Sequence, residues 1–116
     1  MWLFRKPNLD LDEQKNKAYL IYAEWGPKLR IPREQRLGSC FPHISRDTRA
    51  AWIAEFKRID SEVWKVAEEG GAKSCTLEVF KVRMTQIFPF MNQDALSKAW
   101  FLASYYAWHD GYDTST

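Results

Sequence analysis

Hydrophobic residues between positions 46 and 69 recur at alternating intervals of four and three residues. They are Trp52, Phe56, Ile59, Val63 and Val66. Charged residues fill the opposite side, and this arrangement is typical of a helix that packs in a bundle. We expect Ser45 or Asp47 to cap the start of this helix, and Gly70 with Gly71 to end it. The segment is therefore predicted to be a long helix with one buried side.

The stretch from Asn92 to Trp108 is the most apolar part of the chain. It carries no charged residue after Lys98, and the next charge is that of Asp110. A helix that is apolar on all sides is normally surrounded by protein. We therefore predict a helix that begins at Asn92, ends at Gly111, and lies either at the centre of the fold or at the interface with a partner.

Two sides of this last helix differ in character. One side is a smooth stripe formed by Ala95, Ala99, Ala103 and Ala107, which lets another helix approach closely. The other sides are aromatic, and a core of four helices cannot cover all of them. We expect Phe101, Tyr105 and Trp108 to remain at the surface as a partner or ligand site. The alternative is that the connection 28–45 or the N-terminal segment Trp2-Leu3-Phe4 covers them.

Two further helices are predicted with less distinctive patterns. The first runs from about Leu11 to Trp25, with Asp10 or Asp12 as its cap and Gly26-Pro27 as its end. The other runs from Thr76 to Phe88. Residues 78–83 within it also alternate as in a strand, but no other segment offers a partner strand, so a helix is favoured.

These patterns predict an all-α fold, a compact bundle of about four helices in a single domain over residues 1–116. The connection from Lys28 to Ser45 contains Pro32 and several hydrophobic residues, so we expect it to be ordered and packed against the bundle. Residues 32–37 are compatible with a short helix that has proline at its first position.

Composition narrows the class of protein. The first residues lack the charged leader and apolar run of a signal peptide, and no window approaches the roughly 18 apolar residues of a membrane span. Two cysteines are too few for a disulfide framework. We therefore expect a cytoplasmic protein that has no membrane partner.

The basic residues are concentrated in one segment, although the net charge is only +2. Residues 28–49 hold six bases and two acids. Arg33 and Arg36 are expected to contact carboxylates of a partner, because guanidinium groups bind them bidentately. Contact with nucleic-acid phosphates is kept as an alternative. Against it, no nucleic-acid-binding motif is present, and the isoelectric point of about 8.6 lies below the value of about 9 typical of such domains.

The sequence offers little chemistry for catalysis or metal binding. Cys40, His43, Cys75 and His109 are the candidate zinc ligands, but the second pair is not a close motif. The candidate general bases are His43 and His109, and no catalytic motif surrounds either of them. We therefore expect neither an enzyme nor a bound metal or cofactor.

Binding is the function that these observations favour. The first hypothesis is a small interaction protein, an adaptor or inhibitor of a larger protein partner, which includes self-association as a homodimer. Phe101, Tyr105 and Trp108 would be its apolar anchors, and Arg33 and Arg36 its polar contacts. The alternative is a small-molecule-binding module whose pocket is lined by aromatic residues and Met. Its polar tips would be Tyr19, Tyr22 or Tyr106.

Overall fold

A computed structural model describes residues 7–24 and 32–111, and this part of the chain contains helices and no strand. The helices are α1 (Pro7–Tyr22), α2 (Arg33–Cys40), α3 (Arg46–Glu68), α4 (Leu77–Ile87) and α5 (Gln93–His109), with a 3-10 turn at Gly71–Lys73. The prediction of an all-α fold is confirmed. The described residues form five α-helices and not four, because the connection after the first helix forms α2.

Side-chain caps explain where three of the helices begin. Ser45, Thr76 and Asn92 each accept a hydrogen bond from the backbone N–H three residues further on, at 3.1, 3.2 and 3.0 Å. Each bond satisfies an N–H group that has no partner within the helix. The predicted starts of these three helices are therefore confirmed, and the segment that resembled a strand is the helix α4.

The predicted bounds of α1 were wrong. The helix begins at Pro7, about one turn earlier than expected, so Asp10 and Asp12 lie within it and do not cap it. Proline suits the first turn of a helix, because its fixed backbone angle is helical and its missing N–H is not needed there. The helix ends at Tyr22, and Trp25 and Gly26-Pro27 lie outside the described residues.

The last helix, α5, is the centre of the bundle. It packs against α1, α3, α4 and the 3-10 turn. All four residues of its alanine stripe are buried, as predicted (Ala95, Ala99, Ala103 and Ala107). The five hydrophobic residues predicted for the buried side of α3 are buried as well. The aromatic residues of α5 therefore lie on the sides of the helix that the alanine stripe does not occupy.

The small stripe permits a close approach by a turn as well as by helices. Gly71 has a backbone φ of +59°, and a Cβ atom placed on it would lie 2.9 Å from the Cβ of Ala107. A separation that short is a steric overlap, so both the conformation and the contact require glycine here.

A buried asparagine ties α1 to the start of α5. The side-chain amide of Asn16 donates hydrogen bonds of 2.8 Å to the carbonyl oxygens of Asp12 and Phe90. Its side-chain oxygen accepts a bond of 2.8 Å from the backbone N–H of Asn92. Because Asn92 is also the cap of α5, the position of Asn16 sets the position of that helix relative to α1.

Two tyrosines of α1 lie in the middle of the core. The rings of Tyr19 and Tyr22 contact the ring of Phe56 on α3, with centroid distances of 5.5 and 5.3 Å. Both residues are buried. A buried tyrosine normally finds a partner for its hydroxyl group. Among the described residues, the hydroxyl of Tyr22 has such a partner, Asp60 on α3, and that of Tyr19 has none.

Candidate functional site

Three aromatic residues of α5 form a connected surface, which we call the aromatic face: Phe101, Tyr105 and Trp108. Phe101 is 52% exposed and Trp108 is 65% exposed, while Tyr105 is half-buried between them. The ring of Tyr105 stacks on that of Phe101 at 6.4 Å and contacts that of Trp108 at 5.8 Å. The rings therefore support one another on the surface of the helix.

Helix geometry explains why these three residues share a face. Their positions are separated by four and then three residues, which places them one above the other on one side of a helix. Phe101 follows the buried Ala99 by two positions, and two residues span about 200° of helical turn, so the face lies away from the alanine stripe. The residues Trp2-Leu3-Phe4, offered as a cover for this face, lie outside the described part of the chain.

The two predicted arginine contacts occupy different environments. Arg33 is exposed at the start of α2, and its guanidinium carbon lies 4.2 Å from the ring centroid of Tyr22. Arg36 is buried, and it donates a hydrogen bond of 3.1 Å to the carbonyl oxygen of Ile21. Arg36 therefore holds α2 against α1 and does not reach the surface where a partner would bind.

At Arg33, a cavity of about 560 Å³ opens among α2, α3, α5 and the turn that follows α1. We call it the Asp60 pocket. It is lined by Ala23, Arg33, Asp60, Ser61, Trp64, Leu102 and Tyr106. A size of a few hundred Å³ and a mostly apolar wall with a few polar groups are typical of small-molecule sites.

The charged centre of this pocket is Asp60. The hydroxyl of Tyr22 donates a hydrogen bond of 2.7 Å to its carboxylate. Burial raises the pKa of the Asp60 carboxyl above its ordinary value, while the bond from Tyr22 and the charge of Arg33 act to lower it. Burial and the bond to Asp60 also raise the pKa of Tyr22, so its phenol keeps its proton and remains the donor.

Two more tyrosines lie close to Asp60. Burial and then the charge of Asp60 raise the pKa of both Tyr19 and Tyr106. Tyr19 is completely buried, and its hydroxyl has no hydrogen-bond partner among the described residues. Tyr19, Tyr22 and Tyr106 are the three residues that the sequence suggested as polar tips of a pocket. The hydroxyl of Tyr22 bonds the Asp60 carboxylate, and of the three only Tyr106 is among the described lining residues.

The pocket and the aromatic face are neighbours. The ring of Tyr106 contacts that of Trp64 in the pocket wall at 5.0 Å and that of Tyr105 on the aromatic face at 6.0 Å. Met84 and Met91, by contrast, are buried in the core and do not line the pocket. The lining is therefore aromatic and polar, without the methionines that the sequence suggested.

Sequence reasoning missed the central residue of this pocket. Asp60 directly follows Ile59, so it lies at the edge of the buried side of α3, where a carboxylate is partly desolvated. This position next to a buried residue could have identified Asp60 as a candidate site residue. Its partner Tyr22 is 38 positions away in the sequence, and no local pattern relates the two residues.

The candidate zinc ligands are dispersed. Within residues 7–24 and 32–111, no three His, Cys, Asp or Glu residues lie close enough together to hold a metal ion. Cys40, His43, Cys75 and His109 all fall in that part of the chain, so the structure does not bring them together. The Nδ1 atom of His109 lies 3.3 Å from the carboxylate of Asp110, and both residues are exposed at the end of α5.

The basic segment is partly structural. Arg49 donates hydrogen bonds to the carbonyl oxygens of Phe41 and Ile44, which closes the turn before α3. Arg36 is buried, as described above, and Lys28 and Arg30 lie outside the described residues. Arg33 and Arg46 are the exposed arginines of the described part of this segment. The segment thus presents fewer free guanidinium groups than its sequence suggests.

No known protein family, curated protein or solved structure matches this chain. The described helices are too short or too polar for any of them to cross a lipid bilayer.

Proposed function

We propose that this protein is a binding module that recognises a partner protein through the aromatic face of α5. The observation that carries this proposal is the exposure of Phe101 and Trp108 in one connected group with Tyr105. Large aromatic side chains contribute most to the energy of protein interfaces, and contiguous exposed apolar groups mark such sites.

The contacts within the face favour binding for a second reason. Ordering a side chain at an interface costs about 0.5–1.5 kcal/mol of entropy, and rings that already pack on one another have less freedom to lose. The ammonium group of Lys98 lies 5.5 Å from the ring centroid of Phe101 and adds a charged group to the rim. The expected partner therefore has an apolar groove with an acidic edge.

The experiment is crosslinking from a photoreactive phenylalanine analogue placed at position 101, in cells of the source organism. Val79 on α4 is the matched control position, because it is 57% exposed and apolar but lies on another helix. We expect a defined crosslinked product from position 101 and none from position 79. Equal products from both positions, or none from position 101, would contradict the proposal.

Light scattering across a concentration series identifies the partner class. A mass near twice 13.7 kDa that Trp108→Ala abolishes would make the partner a second copy of this chain. A monomer at all concentrations would leave a different protein as the partner. The variant Val79→Ala should behave as the unchanged protein in both cases.

A second candidate function is favoured by the Asp60 pocket. Its volume, its aromatic wall and its half-buried carboxylate are the features of a small-molecule site. In this case the protein is a ligand-binding module, and ligand should raise the melting temperature of a monomer. The pocket and the aromatic face adjoin each other at the ring contact between Tyr105 and Tyr106.

A further inference from the structure

The two charged groups of the Asp60 pocket are both positioned by one residue, Tyr22. Its hydroxyl donates to the carboxylate of Asp60 at 2.7 Å. Its carbonyl oxygen accepts a hydrogen bond of 3.1 Å from Nε of Arg33, and the guanidinium lies over its ring. Tyr22 is buried, so a rigid core side chain determines where an acid and a base stand in the pocket wall.

The acid and the base do not neutralise each other directly. Among the described residues, no lysine or arginine nitrogen lies within 4 Å of the Asp60 carboxylate, which has Tyr22 as its hydrogen-bond donor. The Nε atom of Arg33 is engaged by the backbone, while its two terminal NH₂ groups have no hydrogen-bond partner in the described part of the chain. Each charged group therefore retains hydrogen-bonding capacity toward the cavity.

The charge of Asp60 also acts on a second buried tyrosine, Tyr19. The hydroxyl of Tyr19 is buried and unpartnered in the described structure. A buried hydroxyl without a partner costs free energy, and such groups in native proteins usually have a specific reason. The described lining also includes large apolar surfaces, those of Trp64, Leu102 and Tyr106.

We propose that the Asp60 pocket binds a small zwitterion, an α-amino acid with an apolar or aromatic side chain. Its ammonium group would lie against the carboxylate of Asp60, and its carboxylate would be bound by the terminal NH₂ groups of Arg33. Its side chain would pack on Trp64 and Tyr106. This inference rests on the second candidate function and names the ligand class of that site.

The charges of the described lining favour a zwitterion over simpler ligands of the same size. The described lining holds one acid and one base, Asp60 and Arg33, so its net charge is zero. An organic cation would pair with Asp60 but leave Arg33 without an anionic partner. An organic acid would pair with Arg33 but leave Asp60 without a cationic partner. A hydrogen bond to a charged group contributes about 1.5–3 kcal/mol, so losing one of two such contacts weakens binding at least about tenfold.

The test is calorimetric titration of the full chain with three related probes, L-tryptophan, tryptamine and indole-3-propionate. The second lacks the carboxylate, and the third lacks the ammonium group. We expect L-tryptophan to bind at least about tenfold more tightly than either analogue. L-phenylalanine and L-leucine are titrated as well, so that the size of the side chain does not decide the result.

Two variants assign the contacts. Asp60→Asn should weaken the binding of L-tryptophan and leave that of indole-3-propionate unchanged. Arg33→Gln should weaken L-tryptophan and leave tryptamine unchanged. Arg58→Gln is the matched control, because the guanidinium of Arg58 also lies over an aromatic ring, that of Phe88, but outside the pocket. Arg33 is exposed, so its variant keeps the test valid even if Asp60→Asn fails to fold.

The failures are distinguishable. Equal affinity for L-tryptophan and either analogue would overturn the zwitterion while leaving a ligand-binding pocket in place. The absence of binding by all five probes would overturn both the zwitterion and the second candidate function. Binding of an amino acid that neither pocket variant weakens would overturn the assignment to this pocket.

Discussion

Tyr22 donates its hydroxyl hydrogen to Asp60 across the contact between α1 and α3, at 2.7 Å. This bond joins the core to the pocket, because the ring of Tyr22 packs on Phe56 while its partner Asp60 lines the cavity. A half-buried carboxylate is tolerated only where a donor compensates its lost hydration. The bond is therefore a condition for placing an acid at this site.

Removing the hydroxyl of Tyr22 should destabilise the protein. Tyr22→Phe leaves Asp60 without its donor, and we expect the free energy of unfolding to fall by about 1–3 kcal/mol. Urea unfolding measures the change. Tyr19→Phe is the matched control, because it removes a buried hydroxyl that has no partner among the described residues. It should leave stability unchanged or raise it. A loss of stability with Tyr19→Phe equal to that with Tyr22→Phe would show that the bond to Asp60 contributes nothing of its own.

The pKa of Asp60 predicts a specific dependence of stability on pH. Burial raises this pKa in the folded protein, so the folded state holds the proton more tightly than the unfolded state. The stabilisation from this group is complete below the ordinary pKa of aspartate and is lost as the pH rises through the raised value. Asp60→Asn has no such loss. Its stability relative to the unchanged protein should therefore increase between about pH 3 and about pH 7.

Denaturant unfolding at a series of pH values measures this difference. Asp47→Asn, on the exposed first turn of α3, is the control for a lost carboxylate elsewhere on the same helix. Glu62 acts in the opposite direction, because its hydrogen bond to Lys65 lowers its pKa. Its contribution is therefore lost as the pH falls. A constant difference between Asp60→Asn and the unchanged protein at all pH values would contradict the prediction.

Asn16 should be important for the start of α5. Asn16→Ala removes the hydrogen bonds to the carbonyl oxygen of half-buried Phe90 and from the N–H of Asn92, at a cost of about 1–3 kcal/mol. Hydrogen exchange should show faster exchange of the Asn92 N–H and of the first turn of α5. Gln93→Ala, at an exposed position next to Asn92, is the control. Unchanged exchange of the Asn92 N–H in Asn16→Ala would exclude this role.

Substitutions at two glycines distinguish the cost of backbone strain from the cost of a steric overlap. Gly71 and Gly111 both have positive φ angles, +59° and +79°. A Cβ atom on Gly71 would overlap Ala107, whereas a Cβ on Gly111 would meet no atom within 4 Å. Gly111→Ala should cost about 1–2 kcal/mol for the conformation alone, and Gly71→Ala should cost more. In thermal unfolding, Ala107→Gly should restore part of the stability lost in Gly71→Ala. Equal losses at the two glycines would contradict a close contact at Gly71.

Local patterns were sufficient for most of the secondary structure. The spacing of hydrophobic residues in α3, the alanine stripe of α5 and the caps Ser45, Thr76 and Asn92 depend on neighbours within a few positions, so they are visible in the sequence. The start of α1 was predicted wrongly, because two aspartates looked like caps while Pro7 already allowed a helical turn. The burial of Arg36 was also missed, because its partner is a backbone carbonyl on another helix.

The amino-acid sequence by itself determined that the protein is helical, which sides of α3 and α5 are buried, and which aromatic residues share a face of α5. These properties follow from the period of the helix and from the cost of exposing apolar surface. Only the tertiary structure decided that Tyr22, Asp60 and Arg33 meet in one pocket. Those residues come from three helices, and their contacts depend on how the helices pack, which no local pattern encodes.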